Sequence, residues 1–126
     1  MPNYTNSLWS ETAPTPRYPA LAGDVTYDVV VIGGGITGIS AACLLQQEGR
    51  RVAVIEARRI GKGETGKTTA HLTAALDTRY HVLTSRFGAD GARLAAEGHR
   101  AAIDRIGRFV DELKIGCDFR RVPGFL

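Results

Sequence analysis

The sequence predicts an α/β fold built on a strand–helix–strand crossover with parallel strands, and three observations carry that prediction. Asp28-Val29-Val30-Val31-Ile32 is a β-branched run without polar alternation, the pattern of a strand buried on both faces of a parallel sheet. Glycines follow at once, and Ile36 to Glu48 then has helical composition before Gly49, which stands where a helix C-cap glycine belongs. A second apolar run, Val52-Ala53-Val54-Ile55, begins about twenty residues after the first ends, an interval that suits one right-handed crossover helix.

Ahead of this unit, residues 1–24 contain Pro2, Pro14, Pro16 and Pro19. Proline fixes φ and donates no backbone hydrogen bond, so the segment is expected to be an extended arm. Trp9, Tyr18 and Leu21 are too apolar for a free tail and are expected to pin the arm to a folded body. Residues 25–78 form the crossover core with a second glycine-rich loop, and residues 79–126 a helical segment leading into the first strand of a further domain. A helix is expected from Thr68 to about Leu76 and another from Tyr80 to Phe87. Asp90 is placed to cap a long helix reaching Lys114, with Ile103, Ile106, Val110 and Leu113 on one stripe. Gly116 is the expected stop, after which Cys117, Phe119 and Arg121 share one face of a strand and Pro123-Gly124 marks a turn.

The 126 residues are 44% hydrophobic and 23% charged, the balance of a globular chain. No apolar run approaches the roughly 20 residues that span a bilayer. The start, Met1-Pro2-Asn3-Tyr4-Thr5-Asn6, lacks the basic and apolar parts of a secretory signal. Cys43 and Cys117 lie far apart with no Cys-x-x-Cys, so neither a disulfide framework nor a metal cluster is expected; both read as buried free thiols in a reducing cytoplasm. Sixteen basic residues against thirteen acidic ones give +3. Arg50, Arg51, Arg58, Arg59, Lys62 and Lys67 cluster without interleaved aromatics, which reads as a solvated rim with one or two cations placed to meet a phosphate. No nucleic-acid partner is expected.

The strongest chemical signal is Gly33-Gly34-Gly35-Ile36-Thr37-Gly38, a G-x-G-x-x-G after a strand and opening a helix. In such a turn Gly33 permits the tight bend, Gly35 lets backbone approach a pyrophosphate, and Gly38 lets helix and strand close together. The amides of the first helical turn, Ile36 and Thr37 included, then face the anion at the positive end of the helix dipole. Ala42 and Leu45 extend the same helix face. Glu56 closes the second strand, where a carboxylate accepts hydrogen bonds from ribose hydroxyls and disfavours a 2′-phosphate, and Ala57 and Arg58 adjoin it. These features point to a dinucleotide and leave NAD and FAD open.

A rival lies nearby. Gly61-Lys62-Gly63-Glu64-Thr65-Gly66-Lys67-Thr68 spells G-x-x-x-x-G-K-[ST], which in a P-loop NTPase would put Lys67 on phosphates and Thr68 on Mg²⁺. Its context is wrong, since Ala57-Arg58-Arg59-Ile60 separate it from the strand. The hydroxyl- and glycine-rich stretch from Ile60 to Thr73 suits instead the remainder of a flavin dinucleotide.

Asp28 through Gly38, followed by Ala42, Leu45, Gly49, Val52 and Glu56, resembles the dinucleotide-binding signature of flavoproteins, and Ile60 to Gly66 narrows the resemblance to the FAD-dependent D-amino-acid oxidase (DAO) family. The arm from Leu8-Trp9 through Tyr18 to Asp24 is similar to leaders in its putrescine-oxidase-like and Rieske-linked branches. The resemblance implies FAD in a Rossmann-type domain and an antiparallel substrate domain behind it. It further implies oxidation of a C–N bond of a small amine or amino acid by hydride transfer to flavin N5. It places Gly33, Gly35 and Gly38 on pyrophosphate, Glu56 on ribose, and Thr65, Gly66, Thr68 and Thr69 along the ribityl and flavin side. Where many members have arginine, asparagine and two glycines, this chain reads Lys67-Thr68-Thr69-Ala70. His71 after the Thr-Thr pair is similar to a histidine that some members join covalently to flavin; a histidine hydrogen-bonded near the cofactor, or merely packed, is the commoner role.

Members of that family are several times longer than 126 residues and carry most catalytic residues later in sequence. The chain is therefore expected to be the N-terminal part of a longer protein, aggregation-prone and without turnover if made alone. The alternatives are a nicotinamide dehydrogenase, a P-loop NTPase, and a non-catalytic nucleotide-binding fragment.

Overall fold

The computed structural model describes residues 7–13 and 15–124. The elements run α1 (Leu8–Thr12), β1 (Val29–Ile32), α2 (Ile36–Gln47), β2 (Val52–Ile55), a 3-10 turn (Glu64–Lys67) and α3 (Tyr80–Glu112). The chain divides into two compact units after Thr69.

In the first unit β1 and β2 pair in parallel with Val29 opposite Val52 and Ile32 opposite Ile55, and α2 connects them. Both ends of the crossover are fixed by local chemistry. Asp28 accepts from the Arg51 backbone N–H at 2.9 Å and from its guanidinium at 3.0 Å, tying the start of β1 to that of β2. That hydrogen bond and charge hold the Asp28 carboxyl below its ordinary range and push Arg51 up. At the other end, Gly49 N–H donates to Gln46 O at 2.9 Å and Arg50 N–H to Leu45 O at 3.0 Å. This Schellman closure turns the chain back toward the sheet.

The sheet departs from the sequence reading in one respect. Val29 and Val31 are half-buried and Val31 lies against α2, but Val30 and Ile32, on the opposite face, are 52% and 86% exposed. Among the described residues β1 is covered on one face, not two. The arm also differs, since residues 8–12 form a short helix. Ser7 Oγ accepts the Ser10 N–H at 3.2 Å, satisfying a first-turn amide in a stretch that contains no proline. Trp9 is half-buried and tied down by Thr68 O, whereas Tyr18 and Leu21 are exposed rather than buried against the body.

The second unit is dominated by α3, broken at Gly88 with φ 74° and ψ 171°. The break matches the division expected between Phe87 and Asp90. No helix forms over residues 68–76; Thr68 is extended, Ala70 has φ 57°, and Thr73 Oγ1 accepts the Ala75 N–H instead. β-Branched threonines with hydroxyls free to bond locally lose little by leaving the helix. Ile103, Ile106 and Val110 are half-buried, but Leu113, at the C-cap, is 54% exposed.

The expected strand at residues 117–121 is likewise absent. Phe119 packs over Gly107, Arg121 reaches Asp104 at 2.7 Å, and Asp118 takes φ 52°, so the segment folds back on α3 as an irregular strap. Both cysteines are free, Cys43 half-buried and Cys117 exposed rather than buried. No helix among the described residues is long and apolar enough to cross a membrane.

The stop of α3 comes at Lys114, not Gly116. Ile115 N–H donates to Val110 O at 2.9 Å while Lys114 sits at φ 51°. A side chain in this left-handed region costs about 1 kcal/mol that glycine avoids. Lys114→Gly is accordingly expected to stabilise the second unit by about 0.5–1 kcal/mol, read as a higher denaturation midpoint; an unchanged or lower midpoint would contradict the cap assignment.

Candidate functional site

The glycine turn lies between β1 and α2. Gly33 N–H donates to Ile55 O at 2.8 Å, which prolongs the sheet ladder by one bond before Gly33 bends away at φ 102°. Only glycine occupies that region without strain. A Cβ on Gly38 would overlap the Gly33 carbonyl oxygen and stand 3.2 Å from Val31 Cγ1, so α2 and β1 approach as closely as backbone allows. Gly35 is the N-cap of α2 and offers no side chain to its amides. Thr37 and Gly38 follow in the first turn, where N–H groups lack intrahelical acceptors and the dipole is positive.

Glu56, one residue past β2, turns its carboxylate into this bend. Oε2 accepts the Gly34 N–H at 2.8 Å and Oε1 accepts the Arg58 N–H at 2.8 Å, with Ala57 between. Those two backbone hydrogen bonds, Gly34 first, hold the Glu56 carboxyl below its ordinary range despite partial burial. Each oxygen keeps a lone pair, so two acceptor sites remain at the mouth of the crossover.

The second loop folds onto the first. Gly61 N–H donates to Gly34 O at 2.8 Å, Ile60 packs over Gly34, and Ile36 N–H donates to Thr65 Oγ1 at 3.0 Å. Within the loop a Cβ on Gly66 would come within 2.6 Å of Gly61 O, so the loop closes tightly on itself. Lys67 pairs with Glu64 at 3.4 Å, and Thr68 leaves extended. A P-loop cradle opens an α-helix immediately, with its lysine free for phosphates. Here a single 3-10 turn follows, and the next helix starts at Tyr80.

Gly33, Gly35, Ile36, Thr37, Gly38 and Thr65 thus lie together at the bend, Glu56 joins them through Gly34, and Ala57, Arg58, Gly66, Thr68 and Thr69 follow along the chain outside the cleft lining. A cleft of about 390 Å³ is lined by Gly33, Gly35, Ile36, Thr37, Gly38 and Thr65. His71 belongs to the second unit, beside Leu72, Leu76, His99, Ile103 and Ile106 around a cleft of about 320 Å³. Sequence reasoning missed Gly34, buried and bonded through both N–H and C=O, for which three successive glycines were the available signal. It expected Trp9 to pin the arm but did not identify Thr68 as the partner.

A family model described as FAD dependent oxidoreductase (DAO) matches residues 28–126. The chain is 42% identical over 120 residues to YhfW of Bacillus subtilis (strain 168), provisionally named a Rieske 2Fe-2S iron-sulfur protein, covering 95% of this chain and 24% of that one. It is 34% identical over 131 residues to the gamma-glutamylputrescine oxidoreductase of Escherichia coli (strain K12), covering 100% of this chain and 29% of that one. With the glycine oxidase of Bacillus licheniformis it shares 34% identity over 100 residues, 78% of this chain and 24% of that one. The chain thus spans about a quarter of the length of these curated relatives. No solved structure shows a significant match.

Proposed function

The chain belongs to the DAO family of FAD-dependent oxidoreductases, and on that premise we propose that its first unit is a Rossmann-type site for the ADP half of FAD. The observation that carries this reading is the Glu56 carboxylate held at the glycine turn by Gly34 and Arg58. The residues suit the group. Gly33, Gly35 and Gly38 leave the bend bare of side chains, the amides of Thr37 and Gly38 meet the diphosphate while the Ile36 N–H is taken by Thr65 Oγ1, and the spare acceptor sites of Glu56 take two ribose hydroxyls. Ala57 and Arg58 border the nucleoside. Thr65, Gly66, Thr68 and Thr69 supply hydroxyls and backbone N–H groups along the ribityl side, and His71 follows them in sequence.

For the whole protein we propose oxidation of a C–N bond in a small amine or amino acid, with a substrate domain rich in antiparallel strands following this chain. The names of the gamma-glutamylputrescine oxidoreductase and the glycine oxidase support that substrate class. Bound FAD supplies the two-electron acceptor. The chain's own share is to grip the nucleotide end rigidly, so that the flavin is presented in one orientation.

Gel filtration of the purified protein after mixing with FAD, NAD or Mg-ATP tests the reading. Co-elution of the yellow flavin band, with no retention of NAD or ATP, is the expected result. Retention of Mg-ATP without FAD would overturn it in favour of the Gly61–Thr68 loop.

A further inference from the structure

The N-terminal arm approaches the second loop at two places. At the loop's end, Trp9 Nε1–H donates to Thr68 O at 2.7 Å. At its start, a Cβ on Gly61 would lie 3.9 Å from Thr15 Cγ2, and Thr15 Oγ1 is itself buried. The arm is therefore bonded to the loop at Thr68 and passes close to it at Gly61. The loop is closed on itself at Gly61 and Gly66, and it meets the glycine turn through Gly61 N–H to Gly34 O and Ile36 N–H to Thr65 Oγ1. A continuous run of contacts thus leads from Trp9 to the first turn of α2.

We propose that the arm is a strap that holds the second loop in its cofactor-competent position, with Trp9 as its positioning residue. The strap lies outside the family-wide match, which begins at residue 28, while the gamma-glutamylputrescine oxidoreductase aligns with the whole chain, arm included. The proposal rests on the FAD reading above for its ligand. Beyond Ile60 the loop carries no apolar side chain before Ala70, so without a tie at its far end it would sample many conformations, and FAD would bear the cost of ordering it. Trp9 meets that cost in advance.

The test replaces Trp9, the sole tryptophan, by β-(3-benzothienyl)alanine, which keeps the indole's shape and lacks the N–H. Trp9→Ala is made alongside it. Two quantities are read on the purified protein: the FAD dissociation constant by flavin fluorescence, and the rate of tryptic cleavage after Lys62 and Lys67 without FAD. The isostere is expected to weaken FAD about 5- to 10-fold, the worth of one hydrogen bond. It should also speed cleavage at both lysines several-fold while leaving cleavage after Arg105 and Arg108 in α3 unchanged, and alanine should do more of each. Unchanged cleavage, or faster cleavage with unchanged FAD affinity, overturns the strap. If the unsubstituted protein takes up no FAD, the nucleotide reading falls with the cofactor half of the proposal, and the cleavage rates still decide whether Trp9 holds the loop.

Discussion

Gly38→Ala is expected to abolish FAD uptake and to destabilise the first unit by about 3 kcal/mol, the upper end of the usual cost of overpacking. The new methyl group would occupy the space of the Gly33 carbonyl oxygen and press on Val31 Cγ1. Neither neighbour yields cheaply. Gly33 O belongs to the backbone bend, and Val31 is paired opposite Val54 in the sheet. Relief requires α2 to move away from β1, which carries the first-turn amides away from the bend where Glu56 sits. Gly98→Ala supplies the contrast. Gly98 lies inside α3 with nothing near the position of a Cβ, so the same change there should add about 0.5–1 kcal/mol through helix propensity. Urea denaturation of both variants, with flavin binding measured in parallel, distinguishes the two cases. A Gly38→Ala protein that melts and binds FAD as the parent does would remove the close helix–strand contact from the account.

The second large effect concerns Glu56→Gln, expected to weaken FAD binding about 10- to 100-fold, the range for hydrogen bonds to a charged group. A carboxylate offers an oxygen to each of two backbone donors, Gly34 N–H and Arg58 N–H. An amide offers one oxygen and sets an NH₂ against the other donor, so the variant loses both the charge and one anchoring bond. The pH dependence follows from the direction of the shift. Because these donors lower the folded-state pKa below the ordinary 4.5, the contribution of the ionised carboxylate is complete above that value. It fades only as pH falls through the lower, folded value. FAD affinity should therefore stay flat from about pH 8 down to about pH 5 and drop in more acidic solution. Titrations across this range check it; a decline beginning near neutrality would assign the nucleotide contact to another group.

What the sequence disclosed was what short-range patterns encode. The run from Val29 to Ile32, the glycines, the Gly49 closure and the position of Glu56 each depend on neighbours a few residues away or on one crossover length; the strand and the closure form where expected, although β1 is covered on one face only. The helix at residues 8–12 escaped notice because the surrounding prolines outweighed Ser7, a good N-cap. Residues 68–76 read as helix by composition, but threonine hydroxyls bond locally there. Cys117, Phe119 and Arg121 alternate as a strand would, yet alternation supplies no partner strand, and Arg121 pairs with Asp104 of α3 instead. The closing of the second loop over Gly34, and its link to Trp9, join positions distant in sequence. No local pattern announces such contacts; they arise only once the turn and loop are folded together.

The central claim is that the turn between β1 and α2 grips a diphosphate while Glu56 holds the neighbouring sugar. Backbone amide NMR shifts recorded on adding FAD test it most directly. The account predicts the largest changes at Thr37, Gly38 and Arg58. Changes confined to Gly61–Thr68 and dependent on magnesium, or no change at the glycine turn, would contradict it.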